Sequence, residues 1–117
     1  MKENVIRDKS FSLAKNVLQL ISKLPANSQG FVLSNQLGRA GTSVGANVEE
    51  AIAAFSKADF RHKMSIALKE ARETNYWLRL IHETQLIQTE NLHSTISESE
   101  EVMRILGAIV KSSSPNN

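Results

Sequence analysis

The side chains best equipped for chemistry in this 117-residue chain are three histidines, a scatter of carboxylates and a small group of basic residues. Imidazole binds transition metals and moves protons near neutral pH, so the histidines come first. His93 closes a Glu90-Asn91-Leu92-His93 run, the spacing that di-iron helical bundles use in pairs. Neither His62 nor His82 completes a second Glu-x-x-His run. Cysteine is absent, which removes thiolate ligands, thiol nucleophiles and disulfides together. No histidine-bearing motif supplies a base to any serine. Neither an enzyme nor a metal site is expected, and no cofactor or small-molecule substrate is implied.

The basic residues are the other chemical candidates. Arg39, Lys57, Arg61 and Lys63, with Lys2, Arg7 and Lys9 near the start, can neutralise phosphates in a salt-sensitive, sequence-blind manner. The plainer reading is that they are solvated. Net charge is only +2, but residues 1–48 carry six Lys or Arg against Glu3 and Asp8, and residues 83–101 carry five Glu and no Lys or Arg. In a helical protein that asymmetry suits complementary neighbouring helices at least as well as a nucleic acid.

The elements that must position these residues are helices. Only Pro25 and Pro115 and five glycines interrupt the chain, and hairpin signals are lacking. A hydrophobic content of 41% and a charged content of 22% fit one ordinary globular domain over residues 1–117. With no run of 18 apolar residues and no signal peptide at the charged start, a cytoplasmic protein without membrane contact is expected.

The apolar periodicity predicts helices over about 4–24, 28–55, 57–84 and 90–111, with a frayed tail over 112–117. Ile6, Leu13, Val17, Leu20 and Leu24 mark the first stripe, widened by Leu18 and Ile21. Leu33, Leu37, Ala40, Val44, Val48, Ala51 and Phe55 mark the second, and Leu92, Ile96, Met103, Leu106 and Val110 the fourth. Ser56 and Asp59 have capping-box spacing at the head of the third helix. Four such helices with short connections predict an all-α, antiparallel up-down four-helix bundle.

Three faces beyond the core stripes carry further expectations. Ser34, Gly38, Gly41 and Gly45 lie together on the second helix, where each interior glycine costs about 1 kcal/mol relative to alanine. Such a face implies close backbone approach, either within the bundle or between subunits. Ser43, Asn47 and Glu50 on the second helix, with Glu70, Arg72, Glu73, Asn75 and Tyr76 on the third, predict a polar network that sets helix register. The third helix bears two apolar stripes, Phe60, Met64, Ala67, Ala71 and Leu78 on one side and Ile66, Trp77, Leu80 and Ile81 nearly opposite. One copy of so short a chain covers one of them, so Ile66, Trp77 and Leu80 are expected at a subunit contact.

The residues also carry a resemblance. Leu37, the run Arg-Ala-Gly-Thr-Ser-Val-Gly-Ala-Asn-Val-Glu-Glu-Ala over 39–51, Ser-Lys-Ala-Asp-Phe over 56–60, Ile-Ala-Leu-Lys-Glu-Ala-Arg-Glu-Thr over 66–74 and Tyr76-Trp77-Leu78 resemble the 23S rRNA intervening-sequence proteins. The likeness spans about residues 5–111 and is most specific over the second and third helices. It implies a bacterial cytoplasmic protein, a left-handed four-helix bundle and a ring-like homopentamer. Many family members have proline where this chain has Gly45. A related bundle, the accessory protein of diversity-generating retroelements, binds a reverse transcriptase and nucleic acid. The resemblance carries no catalytic residues. The expected function is therefore a non-enzymatic, homo-oligomeric helical scaffold that binds RNA, DNA or a nucleoprotein through repeated basic patches. The alternatives are a protein–protein interaction module with no nucleic-acid role and, behind it, a carboxylate-based metal protein.

Overall fold

A computed structural model describes residues 2–115 of the protein; the expected fraying at Asn116 and Asn117 lies outside the described residues. Four helices make up the fold: α1 (Lys2–Ile21), α2 (Ser28–Ile52), α3 (Lys57–Glu83) and α4 (Glu90–Ser112). Each of the last three starts where a side-chain oxygen takes over a free backbone amide. Asn27 Oδ1 accepts from the Gly30 N–H, Ser56 Oγ from Asp59 N–H and Thr89 Oγ1 from Leu92 N–H. Such caps satisfy donors that have no partner in the first turn.

Sequence-adjacent helices run antiparallel. Along α2, Gly38, Gly41 and Gly45 meet Ile21, Val17 and Ser10 of α1 in descending order. Arg39 and Glu50 of α2 meet Glu73 and Lys63 of α3 in the same opposed sense. Asn75 and His82 of α3 meet Ser99 and His93 of α4. Finally α4 returns to α1, where Lys9 Nζ donates to Glu101 Oε1 at 3.1 Å and Ser12 Oγ and Asn16 Nδ2 donate to Glu98 at 2.7 and 2.8 Å. The helices thus close into a square rod of 45 × 21 × 20 Å, in which the backbone of each helix lies close to those of its two neighbours. The acidic α4 is matched to basic and amide side chains on α1, as the charge asymmetry foreshadows.

The core runs along one seam per helix: Ile6, Leu13, Val17 and Leu20; Leu33, Leu37, Val44, Val48 and Ala51; Met64, Ala67, Ala71, Leu78 and Ile81; Leu92, Val102, Leu106 and Ile109. Buried positions recur at alternating steps of three and four residues, the period that keeps a seam facing its partners. Four polar side chains, Ser10, Thr74, Thr95 and Ser99, complete these seams. Their hydroxyls donate to carbonyls of their own helix, at Arg7, Glu70, Asn91 and Ile96, with donor–acceptor distances of 2.6–3.1 Å. A hydroxyl satisfied within its own turn is cheap to bury.

Several expectations need correction. α2 ends at Ile52 rather than at 55, and Phe55, assigned to the core stripe, is fully exposed at 105%. The chain folds back there because Ala53 and Ala54 close the helix with bonds to Glu49 and Ala51 carbonyls and Ser56 is extended to cap α3. α1 stops at Ile21, three residues short of 24, and Leu18 is half exposed instead of widening the core. On α4 the seam passes through Thr95, Ser99, Val102 and Ile109, so Ile96, Met103 and Val110 flank the core. Ile81, placed on the outer stripe of α3, lies on its core seam.

Candidate nucleic-acid interface

A cleft of about 860 Å³ opens where the α2–α3 turn meets the C-terminal end of α4. Lys57, Arg61, Phe55, Phe60 and the residues 112–115 line it, and no acidic side chain among the described residues does. The turn after Ile52 holds Phe55 outward, and the Ser56 cap sets the first turn of α3, which carries Lys57 and Arg61 one helical turn apart. Arg61 is half-buried, and its Nε has no hydrogen-bond partner among the described residues. Two cations beside an exposed aromatic ring is the combination that binds a phosphate backbone and stacks a base.

The other two basic candidates sit elsewhere and are engaged. Arg39 bridges α2 to α3, pairing with Glu73 Oε2 and with Glu70 Oε1 at 3.3 Å. Lys63 donates to Glu50 Oε1 at 2.8 Å. That hydrogen bond and the Glu50 charge raise the Lys63 pKa above its ordinary value. A group with a raised folded-state pKa contributes stability that is complete below its unfolded pKa and fades as pH rises through the folded one. Lys63→Gln should therefore melt lower than the parent at neutral pH, and the two melting temperatures should converge as the pH passes above the ordinary lysine range. On α1, Lys9 is held by Glu101.

Part of the expected polar set meets across α2 and α3. Glu73 Oε2 also accepts from Trp77 Nε1 at 3.1 Å, which joins Arg39, Glu70, Glu73 and Trp77 into one cluster. Ser43 and Asn47 bond back to the Arg39 and Ser43 carbonyls of their own helix. Arg72 stands apart on the α4 side, beside Leu68, Glu100, Met103 and Arg104. Tyr76 is half exposed and packs edge-on against Trp77. Asn75, expected in the α2–α3 set, turns instead to α4, where it donates to Ser99 Oγ at 3.0 Å while its Oδ1 accepts from Arg79 Nε at 2.8 Å.

The glycine face is an internal contact. A Cβ at Gly41 would lie 2.8 Å from Val17 Cγ1, one at Gly45 3.3 Å from Ser10 Oγ and one at Gly38 3.4 Å from Ile21 Cδ1. Glycine here lets α1 and α2 approach. Of the outer α3 stripe, Trp77 and Leu80 are half-buried against the chain's own core, and Ile66 is half-buried too. Among the described residues most of the exposed large apolar side chains are on α1 and α2. Phe11 (64%) lines the outer α1–α2 groove with Ala14, Thr42, Gly45 and Ala46 and the charged Arg7 and Glu49, and Leu18 and Phe31 (60%) are exposed elsewhere on the same two helices. No three metal-ligating side chains converge among the described residues, and no helix among them is long and apolar enough to cross a membrane.

Comparison with known proteins agrees with this architecture. A crystal structure of a protein of unknown function from the S23 ribosomal protein family of Bacteroides thetaiotaomicron superimposes with a TM-score of 0.86 at 45% sequence identity, covering 95% of this chain and 99% of that one. No protein of curated function matches the sequence. The family model described as 23S rRNA-intervening sequence protein matches residues 2–108, nearly the whole bundle. The chain belongs to the 23S rRNA-intervening sequence protein family.

Proposed function

We propose that this chain is a non-enzymatic cytoplasmic scaffold that assembles into a ring-like homopentamer and binds RNA or DNA through a basic cleft repeated once per subunit. The observation that carries the binding half is the α2–α3 cleft, with Lys57, Arg61 and the fully exposed Phe55 and no acidic lining among the described residues. Membership of a family described by a ribosomal-RNA insertion supports a nucleic-acid setting. Repetition matters because two cations hold a phosphate chain weakly, and several copies on one rigid ring raise the effective concentration of each further contact. The Arg39 and Lys63 positions join this surface only by exchanging Glu70, Glu73 and Glu50 for phosphate.

The assembly half rests on the outer α1–α2 groove. Phe11 stands exposed beside the small residues Ala14, Gly45 and Ala46, with Arg7 and Glu49 at the same groove and Leu18 and Phe31 exposed on the same two helices, a surface that a second helical face can fill. The three-four spacing of the buried seams favours a left-handed twist of the helices around one another. A second reading, a protein-interaction module without nucleic acid, draws on the apolar groove of about 400 Å³ formed by Val32, Leu33, Trp77, Leu80 and Leu86.

A gel-shift titration with RNA and DNA at two salt concentrations tests the proposal. Retention at low salt that weakens as salt rises is expected, with the Lys57→Gln/Arg61→Gln variant losing about tenfold or more in affinity. Absence of retention at low salt overturns the nucleic-acid role and leaves the protein-interaction reading.

A further inference from the structure

We propose that His82 and His93 form a two-imidazole site for a divalent first-row transition metal. His82 lies in the last turn of α3 and His93 in the first turn of α4, and their ring centroids are 4.7 Å apart with the ring planes at 74°. Their residue numbers differ by eleven, and only the antiparallel return of the chain brings them together. Each follows directly on a fully buried anchor, Ile81 and Leu92, so both backbones are held by the core. The rings themselves are reachable, His82 half-buried and His93 exposed.

The geometry suits chelation. A divalent ion takes imidazole nitrogens at about 2.0–2.1 Å, which sets the two donors roughly 3 Å apart around the metal. The rings stand edge to face at 4.7 Å, close enough to share one ion once they rotate, and the exposed His93 is the freer of the two to do so. Carboxylates stand close by. Glu83 Oε2 is 3.8 Å from His82 Nδ1, and Glu90 precedes His93 by one turn on α4. Three such groups do not converge in this arrangement, so the chain supplies two nitrogens and water fills the remaining positions. A nitrogen pair with open positions selects ions that gain most from imidazole, copper(II) ahead of zinc(II) in the usual affinity order.

Calorimetric titration of the metal-free, full-length protein with copper(II) chloride, and separately with zinc chloride, is the test. One saturable site per chain is expected, tighter for copper, with electron paramagnetic resonance of the copper form reporting two bound nitrogens. His82→Ala and His93→Ala should each weaken copper binding about tenfold or more, whereas His62→Ala should leave it unchanged. Because the proposed ligands lie at the surface, His93→Gln serves as a milder second variant should alanine disturb the α4 start. Copper should also raise the melting temperature of the parent and not of the His82→Ala/His93→Ala variant. The absence of saturable binding, or binding that persists in a folded variant lacking both histidines, overturns the site.

Discussion

Replacing Gly30 by alanine is expected to lower stability by about 2–4 kcal/mol, a fall of roughly 10 °C in melting temperature for a domain of this size. Gly30 is the third residue of α2, and a Cβ there would overlap the carbonyl of Pro25, which belongs to the backbone of the preceding loop. A side chain can swing aside; a carbonyl cannot move without the loop and the Asn27 cap moving with it. The cap is the point of coupling, because Asn27 Oδ1 accepts from the Gly30 N–H itself at 2.9 Å. Gly107→Ala is the control of opposite sign. Nothing lies within 4 Å of a Cβ at that position in α4, so alanine there should stabilise by about 0.5–1 kcal/mol through helix propensity alone. Differential scanning calorimetry of the two variants decides the matter, and a Gly30→Ala protein that melts with the parent would show that the loop, not α2, yields.

The second large effect separates assembly from folding. Phe11→Glu is expected to dissociate the proposed ring into subunits that keep their helicity and melting temperature, because the ring of Phe11 is mostly exposed on the isolated bundle. Trp77→Glu is expected to do the reverse. Its indole is half-buried against the core and donates to Glu73, so a glutamate there loses apolar contact and adds a carboxylate beside Glu73. A loss of about 2–4 kcal/mol follows, with the subunit count unchanged. Light scattering and thermal melts read both variants. If Phe11→Glu keeps the mass of the parent while Trp77→Glu becomes monomeric, the subunit contact lies on α3 and the outer α1–α2 groove is only solvated surface.

The contrast between these two residues shows why some of the protein was legible beforehand and some was not. Both stripes on α3 are apolar at helical spacing, and spacing identifies a face without saying what covers it. Trp77 and Leu80 are half-buried against their own bundle and still line an open groove, whereas Phe11, which no stripe recruited, stands in solvent. On α4 the obstacle was of another kind. Thr95 and Ser99 occupy the core seam, so the apolar periodicity of α4 points one residue to the side, at Ile96, Met103 and Val110. Those hydroxyls are buried because each bonds a carbonyl of its own helix, a satisfaction that hydrophobicity does not register. The run to Phe55 failed for a third reason, since periodicity carries no stop signal and Ser56 needed an extended backbone to cap α3.

Local chemistry in the chain was enough to determine four helices, the Ser56 cap, the close approach along Gly41 and Gly45 and membership of one protein family. Each of these is written in residues within one or two turns of each other, where 3.6-residue geometry leaves little choice. Tertiary structure alone decided which faces are covered, that Arg39 and Lys63 are taken up by glutamates, that Asn75 finds Ser99, and that His82 meets His93. Those pairings depend on the rotation and register of one helix against the next, and they are set by summed packing of the whole bundle rather than by any short stretch of sequence.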